Sequence, residues 1–123
     1  MKAVVLAGGQ GSRLRPLTCD TPKPLMPILS KPTAEYIIDL LVSCGFDDIC
    51  FTLGYLSGEM TEFINNINVK NDKVKLSYYI EEKPLGTAGC LKKIFPENNC
   101  GDVLIISGDC MCDIELDKVM KYH

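Results

Sequence analysis

The chain has 123 residues, of which 46% are hydrophobic and 24% charged, and this is the size and composition of one globular domain. A disordered or fibrous chain is excluded, and so is a membrane-spanning one, because no apolar run approaches the roughly 18 residues of a spanning helix. The net charge of −3 is unevenly distributed, since residues 1–31 carry +4 and the remaining residues carry −7. An acidic protein with a cationic first segment is a poor candidate for binding nucleic acid and a better one for binding a small anionic ligand.

The hydrophobic pattern of the first half alternates between strands and helices. Lys2–Ala7 is a short apolar run ended by two glycines, which predicts a buried strand, and a Gly- and Pro-rich segment follows. Apolar residues at helical spacing predict a helix that begins at Pro32 and is closed by Gly45. Asp48–Leu53 predicts a second strand, and Ser57 is the predicted N-cap of a second helix.

The second half continues this alternation. Apolar and polar residues alternate from Val74 to Ile80, which predicts a strand with one buried face. Thr87 is predicted to cap a short helix. Asp102–Ser107 predicts a fourth, fully buried strand, and a further helix is expected from Ile114 onward.

This order of elements predicts an α/β fold with a Rossmann-like, mainly parallel sheet and flanking helices. Ligands of such sheets bind beyond the carboxyl ends of the strands, where the strand order reverses. If the order is 3-2-1-4, the loops after the first and fourth strands lie side by side. We therefore expect the site to form between Gly8–Arg13 and Gly108–Asp109.

The cysteines and the first residues favour a cytoplasmic protein. Seven cysteines are an odd number, and only Cys110 and Cys112 are closely spaced, with nothing elsewhere to complete a zinc site. The first nine residues have no extended apolar stretch with a cleavage site, so we do not expect a signal peptide. We expect reduced thiols, several of them buried.

The segment Gly8-Gly9-Gln10-Gly11-Ser12-Arg13 is a candidate anion-binding loop, because its glycines allow successive backbone N–H groups to face one ligand. It does not match the dinucleotide fingerprint, since Leu14 stands where that motif needs its last glycine. It does not match the P-loop either, since no Gly-Lys-Ser/Thr follows. A plain Gly-rich turn is the alternative, but Arg13, Arg15 and Lys23 favour anion binding.

Four motifs resemble those of one enzyme family. The stretch from Lys2 to Thr18 resembles the signature of the sugar-phosphate nucleotidyltransferases (nucleotide-sugar pyrophosphorylases), and Thr21–Leu25 with Lys31-Pro32 continues it. Glu81–Gly89 is similar to a segment of mannose-1-phosphate guanylyltransferases and their close relatives, and Ser107-Gly108-Asp109 resembles the family's metal-binding strand end. The resemblance covers essentially the whole chain and implies a glycosyltransferase-A-like nucleotidyltransferase fold.

The resemblance also implies an activity, the transfer of a nucleotidyl group from a nucleoside triphosphate to a sugar 1-phosphate with release of pyrophosphate. Arg13 would hold the leaving phosphates, Lys23 would lie near the α-phosphate or the sugar phosphate, and Asp109 would bind Mg²⁺. Asp113 is a possible second ligand, but capping the last helix is the favoured role for it. The implied nucleotide-binding residues are Leu6, Ala7, Gly8, Gly9, Gly11, Ser12, Arg13, Glu81 and Gly86.

The expected base depends on Glu81, whose carboxylate only accepts hydrogen bonds. It matches the N1–H and N2–H₂ donors of guanine and does not match the edge of adenine, whereas uracil and thymine, with one N3–H donor each, stay open. GTP and mannose 1-phosphate are the favoured substrates. The alternatives are a UTP- or dTTP-dependent enzyme and a non-catalytic regulatory relative that senses nucleotides or nucleotide sugars.

The family's catalytic domain continues beyond the part that this chain resembles, and it takes most sugar contacts and a further metal-binding Asp from those later strands. We therefore expect residues 1–123 to be the N-terminal, nucleotide-binding portion of a truncated catalytic domain, without the sugar-binding portion. Such a chain is expected to bind nucleoside triphosphate weakly and to turn over poorly or not at all. An open sheet edge would favour association into homo-oligomers.

Overall fold

The computed structural model describes residues 1–70, 73–95 and 101–123, and this part of the chain has two short 3-10 helices, Ser12–Leu14 and Lys23–Leu25, together with six strands and four α-helices. In chain order they are β1 (Lys2–Ala7), β2 (Pro27–Ile28), β3 (Lys31–Pro32), α1 (Thr33–Ser43), β4 (Asp48–Leu53), α2 (Ser57–Lys70), β5 (Lys75–Ile80), α3 (Leu91–Ile94), β6 (Val103–Ser107) and α4 (Leu116–Tyr122). Within these residues, no helix combines the length and apolar character needed to cross a membrane.

The main sheet is parallel and has the order β5-β4-β1-β6. This is the predicted 3-2-1-4 order of the four long strands, and the prediction of a mainly parallel α/β sheet is confirmed. Strand β1 lies between two parallel neighbours, with Lys2 aligned to Asp48 of β4 and to Val103 of β6. The carboxyl ends of β1, β4 and β6 therefore meet at one edge of the sheet.

One face of the sheet holds the main hydrophobic core. Residues of β1 and β4 that point to this face are fully buried against apolar side chains of α1, α2 and α4. The buried members of this core are Ala3, Val5, Ala7, Ala34, Ile37, Ile38, Leu41, Phe46, Ile49, Phe51, Leu53, Met60, Ile64, Val74, Leu76 and Leu116. Burial of this apolar surface fixes the strands on which the loops at the carboxyl edge depend.

The prediction that the fourth strand is fully buried is wrong. Strand β6 begins at Val103 rather than Asp102, and Ile105 at its centre is 47% exposed. The reason is its position, because β6 is the edge strand of the described sheet and only β1 flanks it. At the opposite edge, Tyr78 and Ile80 of β5 are likewise about 40% exposed, so only the first part of the predicted apolar face is buried.

The first two helices differ from prediction only at their starts. Pro32 occupies the N-cap position of α1, and the helix begins one residue later at Thr33. Gly45 follows the end of α1 with φ +81°, as the prediction of a glycine stop requires. Ser57 is the first residue of α2, so the prediction that it caps this helix from outside is wrong.

The last two helices begin later than predicted. Thr87 lies in a turn and does not cap α3, whose N-cap position is held by Cys90. Helix α4 has Glu115 at its N-cap position, so Ile114 precedes the helix and Asp113 does not cap it. Neither N-cap side chain accepts a hydrogen bond from the backbone of its helix, so side-chain capping does not set the start of either helix.

Candidate active site

A cleft of about 550 Å³ lies at the carboxyl ends of the strands. All eleven residues predicted to bind or react line it: Leu6, Ala7, Gly8, Gly9, Gly11, Ser12, Arg13, Lys23, Glu81, Gly86 and Asp109. They come from four separate stretches of sequence, which the parallel sheet brings to one edge. The structure thus places the predicted residues together.

The Gly-rich loop leaves β1 at Ala7 and turns back at Gly11, which has φ +60°. Thr18 fixes this turn from below: its side chain is fully buried and its hydroxyl donates to the Gly11 carbonyl at 2.8 Å. A Cβ at Gly11 would lie 3.0 Å from the Thr18 methyl carbon, so the turn requires glycine for both space and φ. Gly9 and Gln10 remain exposed above it.

Two basic side chains line the cleft, and their electrostatic environments differ. Lys23 forms an ion pair with Asp109. Arg13 is exposed and has no acidic partner within ion-pair distance among the residues that the structure describes. Arg15, by contrast, is not part of the cleft lining. Arg13 is therefore the cleft cation available to an incoming anion.

Asp109 lies just after β6, and each of its carboxylate oxygens has its own partner. Ser107 donates a hydrogen bond to Oδ1, and the Lys23 ammonium donates to Oδ2. The bond from Lys23 holds the pKa of Asp109 below its usual range, with a further contribution from Ser107 and partial opposition from burial. Asp113, the predicted alternative ligand, does not line the cleft.

The opposite wall of the cleft is formed by the segment after β5. The Glu81 N–H donates to the Leu53 carbonyl at 2.8 Å, and the Glu81 carboxylate accepts from the Leu85 N–H at 3.4 Å. The same carboxylate lies beside Gly8, where a Cβ would be 3.8 Å from Glu81 Cδ. Burial, and then the negative charge of Glu81, raises the pKa of the nearby Cys90 thiol.

Eight further residues line the cleft that had no individual role in the predicted site, although Gln10 and Gly108 lie in the two loops between which the site was expected. They are Gln10, Leu14, Pro24, Thr52, Pro84, Thr87, Ser107 and Gly108. Thr52 and Ser107 are polar residues at the ends of β4 and β6, so the rule that sites form at the carboxyl edge could have found them. Thr52 is 2% exposed and its hydroxyl oxygen accepts from the Ala7 N–H at 3.3 Å, so it supports the start of the Gly-rich loop.

The arrangement suits a polyphosphate. A glycine-rich backbone turn, the Arg13 guanidinium and the Lys23 ammonium face the same space, which the carboxylates of Glu81 and Asp109 also line. Among the described residues, no group of three or more His, Cys, Asp or Glu side chains could enclose a metal ion.

The chain is similar to proteins of one known family. Residues 2–123 match the family described as nucleotidyl transferase. The chain is 35% identical, over 123 aligned residues, to the D-glycero-alpha-D-manno-heptose 1-phosphate guanylyltransferase of Aneurinibacillus thermoaerophilus. It is 36% identical, over 134 aligned residues, to the UTP–glucose-1-phosphate uridylyltransferase of Synechocystis. Both alignments cover all of this chain. Among solved structures, HddC from Yersinia pseudotuberculosis complexed with GMP-PN matches 98% of this chain with a TM-score of 0.77 and 30% identity.

The chain spans 52% of the length of the first of these relatives, 34% of the second and 53% of the solved HddC chain. The matched portion contains the whole cleft described above. The two relatives differ in the nucleotide that they are named for, since one is a guanylyltransferase and the other a uridylyltransferase.

Proposed function

The chain belongs to the nucleotidyl transferase family, and on that premise we propose that its cleft binds a nucleoside triphosphate for transfer of the nucleotidyl group to a sugar 1-phosphate. The observation that carries this proposal is the convergence of the Gly-rich loop, Arg13, Lys23 and Asp109 in one cleft at the carboxyl edge of the sheet. The proposed products are a nucleoside diphosphate sugar and pyrophosphate.

The proposed reaction needs charge neutralisation and positioning more than covalent chemistry. A phosphate oxygen of the sugar 1-phosphate attacks the α-phosphorus, and the bond from that phosphorus to the oxygen bridging it to the β-phosphate breaks. Backbone N–H groups of the loop between Gly8 and Ser12 would hold the triphosphate. Arg13 would stabilise the leaving pyrophosphate, and Lys23 would bring the two anionic reactants together.

Mg²⁺ is the proposed cofactor, and Asp109 is the residue that would hold it. The donor set fits this ion, because Mg²⁺ is commonly held by one or two carboxylates together with substrate phosphates and water. Asp109 is about one-third exposed at the cleft, and its pKa below the usual range keeps it ionised. When bound, the ion would supply positive charge to the phosphates.

GTP is the proposed nucleotide because of Glu81. A carboxylate has about four acceptor positions, and the Leu85 N–H uses one of them, which leaves room for the two donors on the edge of guanine. The guanylyltransferase relative and the HddC complex with GMP-PN support this choice, whereas the uridylyltransferase relative supports UTP. Mannose 1-phosphate is the proposed sugar substrate. This choice is supported by similarity to mannose-1-phosphate guanylyltransferases such as the catalytic subunit beta of Danio rerio, which is 34% identical over the whole of this chain.

A thermal-shift panel of GTP, UTP, dTTP, ATP and CTP with Mg²⁺ tests the proposal on the 123-residue chain. We expect GTP to raise the melting temperature most, by about 2–4 °C at a concentration several times its Kd. Glu81→Gln should reduce the GTP shift by at least half, because its amide places a donor opposite the donors of guanine. Glu82→Gln removes the same charge from an exposed neighbour outside the cleft and should leave the shift unchanged.

Each result of the panel decides one part of the proposal. Stabilisation by ATP alone would contradict the role of Glu81, and a larger shift with UTP or dTTP would replace GTP by that nucleotide. If no nucleotide stabilises the chain, the assignment of the cleft is wrong.

A further inference from the structure

The Asp109 carboxylate is held in an asymmetric way that the proposed function does not explain. Its Oδ1 accepts a hydrogen bond from the hydroxyl of Ser107, the last residue of β6. Its Oδ2 is the oxygen bound to the Lys23 ammonium, which comes from a turn 86 residues earlier in the sequence. One partner is thus built into the strand that carries Asp109, and the other reaches it from across the cleft.

The strand-side partner is rigid. The Gly108 N–H donates to the Leu6 carbonyl at 2.8 Å, so the chain between Ser107 and Asp109 is bonded to β1. A Cβ at Gly108 would lie 2.9 Å from the Leu6 oxygen and 3.1 Å from the Ala7 Cβ, so these backbones are in close contact. Ser107 is itself paired with Leu6 in the sheet register. The backbone that carries the Ser107 hydroxyl is therefore held in place against β1.

The cleft-side partner is replaceable. The Lys23 and Asp109 side chains are both more than one-third exposed, and ion pairs as exposed as this contribute little to stability. Lysine is a flexible point charge on four methylene groups, so its ammonium can move without a change in the backbone. Its position on Oδ2 is also the position that a cation bound to that oxygen would take.

We propose that Ser107 is a positioning residue that fixes Oδ1 of Asp109 and so presents Oδ2 to a divalent cation, which exchanges places with the Lys23 ammonium. This inference rests on the proposed function, in which Asp109 holds Mg²⁺ and Lys23 contacts phosphate. In the structure the Lys23 ammonium neutralises the negative charge of the Asp109 carboxylate. On binding of a cation and triphosphate, the ammonium leaves Oδ2 and becomes available to the phosphates.

Binding of Mn²⁺ to the chain without nucleotide tests the exchange, with no dependence on turnover. The readout is paramagnetic broadening of the backbone amide signals of Asp109 and Cys110, measured against Mn²⁺ concentration, with Mg²⁺ as the diamagnetic reference. Lys23→Met removes the competing ammonium, so half-broadening should occur at a Mn²⁺ concentration about two- to fivefold lower than in the wild type. An unchanged concentration in this variant would overturn the exchange.

The same titration tests Ser107. Ser107→Ala should require about threefold or more Mn²⁺, because the carboxylate loses the donor that orients it, whereas Ser107→Thr keeps the hydroxyl and should match the wild type within about twofold. Equal broadening in the wild type and Ser107→Ala, or failure of Ser107→Thr to restore it, would overturn the positioning role. A parallel titration with GTP distinguishes failure of this inference from failure of the proposed function. If the variants change Mn²⁺ binding as expected but GTP does not bind to the chain, the proposed function is wrong and the exchange at Oδ2 is supported.

Discussion

At the residue scale, the feature with the clearest consequence is the buried hydroxyl beneath the Gly-rich loop. Thr18 is fully buried, and its hydroxyl donates to the carbonyl of Gly11. Thr18→Val keeps the size and one methyl group but removes the donor, which leaves the Gly11 carbonyl with only the bond from the Leu14 N–H, at 2.9 Å. We expect a loss of about 1–1.5 kcal/mol in the free energy of unfolding, measured by urea denaturation, together with weaker GTP binding.

The chain contains a matched control for this substitution. Thr61 also donates from its hydroxyl to a carbonyl, that of Gly58 at 2.7 Å, but the bond is exposed on helix α2. Thr61→Val should change the free energy of unfolding by no more than about 0.5 kcal/mol. Equal losses in the two variants would mean that burial of the Thr18 hydroxyl does not matter, and an unchanged GTP affinity in Thr18→Val would show that the loop keeps its shape without it.

At the scale of elements, the ends of β1 and β4 are held in close contact by a glycine. A Cβ at Gly54, the residue after β4, would lie 2.7 Å from the Gly8 carbonyl oxygen. Gly54→Ala therefore forces the two loops apart, and we expect a loss of about 1–3 kcal/mol in the free energy of unfolding and a lower GTP affinity. Gly58→Ala in α2 is the control, because nothing lies within 4 Å of its Cβ position, and it should be neutral or stabilising by up to about 1 kcal/mol. Similar stability of both variants by urea denaturation would contradict this account.

The order of elements could be predicted because it depends on periodicity and on the chirality of parallel connections, both of which the sequence carries. The starts of the helices could not, because a capping residue such as Thr87 or Asp113 is only one contribution among several. Apolar contacts of Leu116 with the core set the start of α4 instead. The burial of β6 was also not predictable, since an apolar run is the same whether a strand lies at the centre of a sheet or at its edge.

At the scale of the whole molecule, the cleft residues come from four separate stretches of the sequence, and the parallel sheet places these stretches at one edge. Gly8–Ser12 and Asp109 lie close together because they follow strands that are neighbours in the sheet, so their proximity could be predicted from topology alone. The position of Glu81 depended on the resemblance to known enzymes rather than on topology. The ion pair between Lys23 and Asp109 could not be predicted, because it depends on the path of the Pro-rich segment across the cleft.

Most of the positive charge in the first 31 residues is neutralised by ion pairs in the structure. The first 31 residues carry a net charge of +4, but three of their five basic side chains pair with carboxylates from later in the chain. These pairs are Lys2 with Asp48, Lys23 with Asp109, and Lys31 with Asp39. The cationic segment is therefore not a broad basic surface. Of its two remaining arginines, only Arg13 lines the cleft.

This distribution predicts that anion binding depends on one local cation rather than on the summed charge of the segment. Arg13→Gln should weaken GTP binding by about tenfold or more, because a charge-assisted hydrogen bond is lost, and should make the remaining affinity less dependent on salt. Arg15→Gln makes the same change in net charge outside the cleft and should weaken binding by less than about twofold at moderate salt, where charges farther than about 10 Å apart are screened. Calorimetric titrations with GTP at low and high NaCl measure both effects. If the two variants lose affinity equally at every salt concentration, the segment acts through its overall charge, and the specific role of Arg13 is wrong.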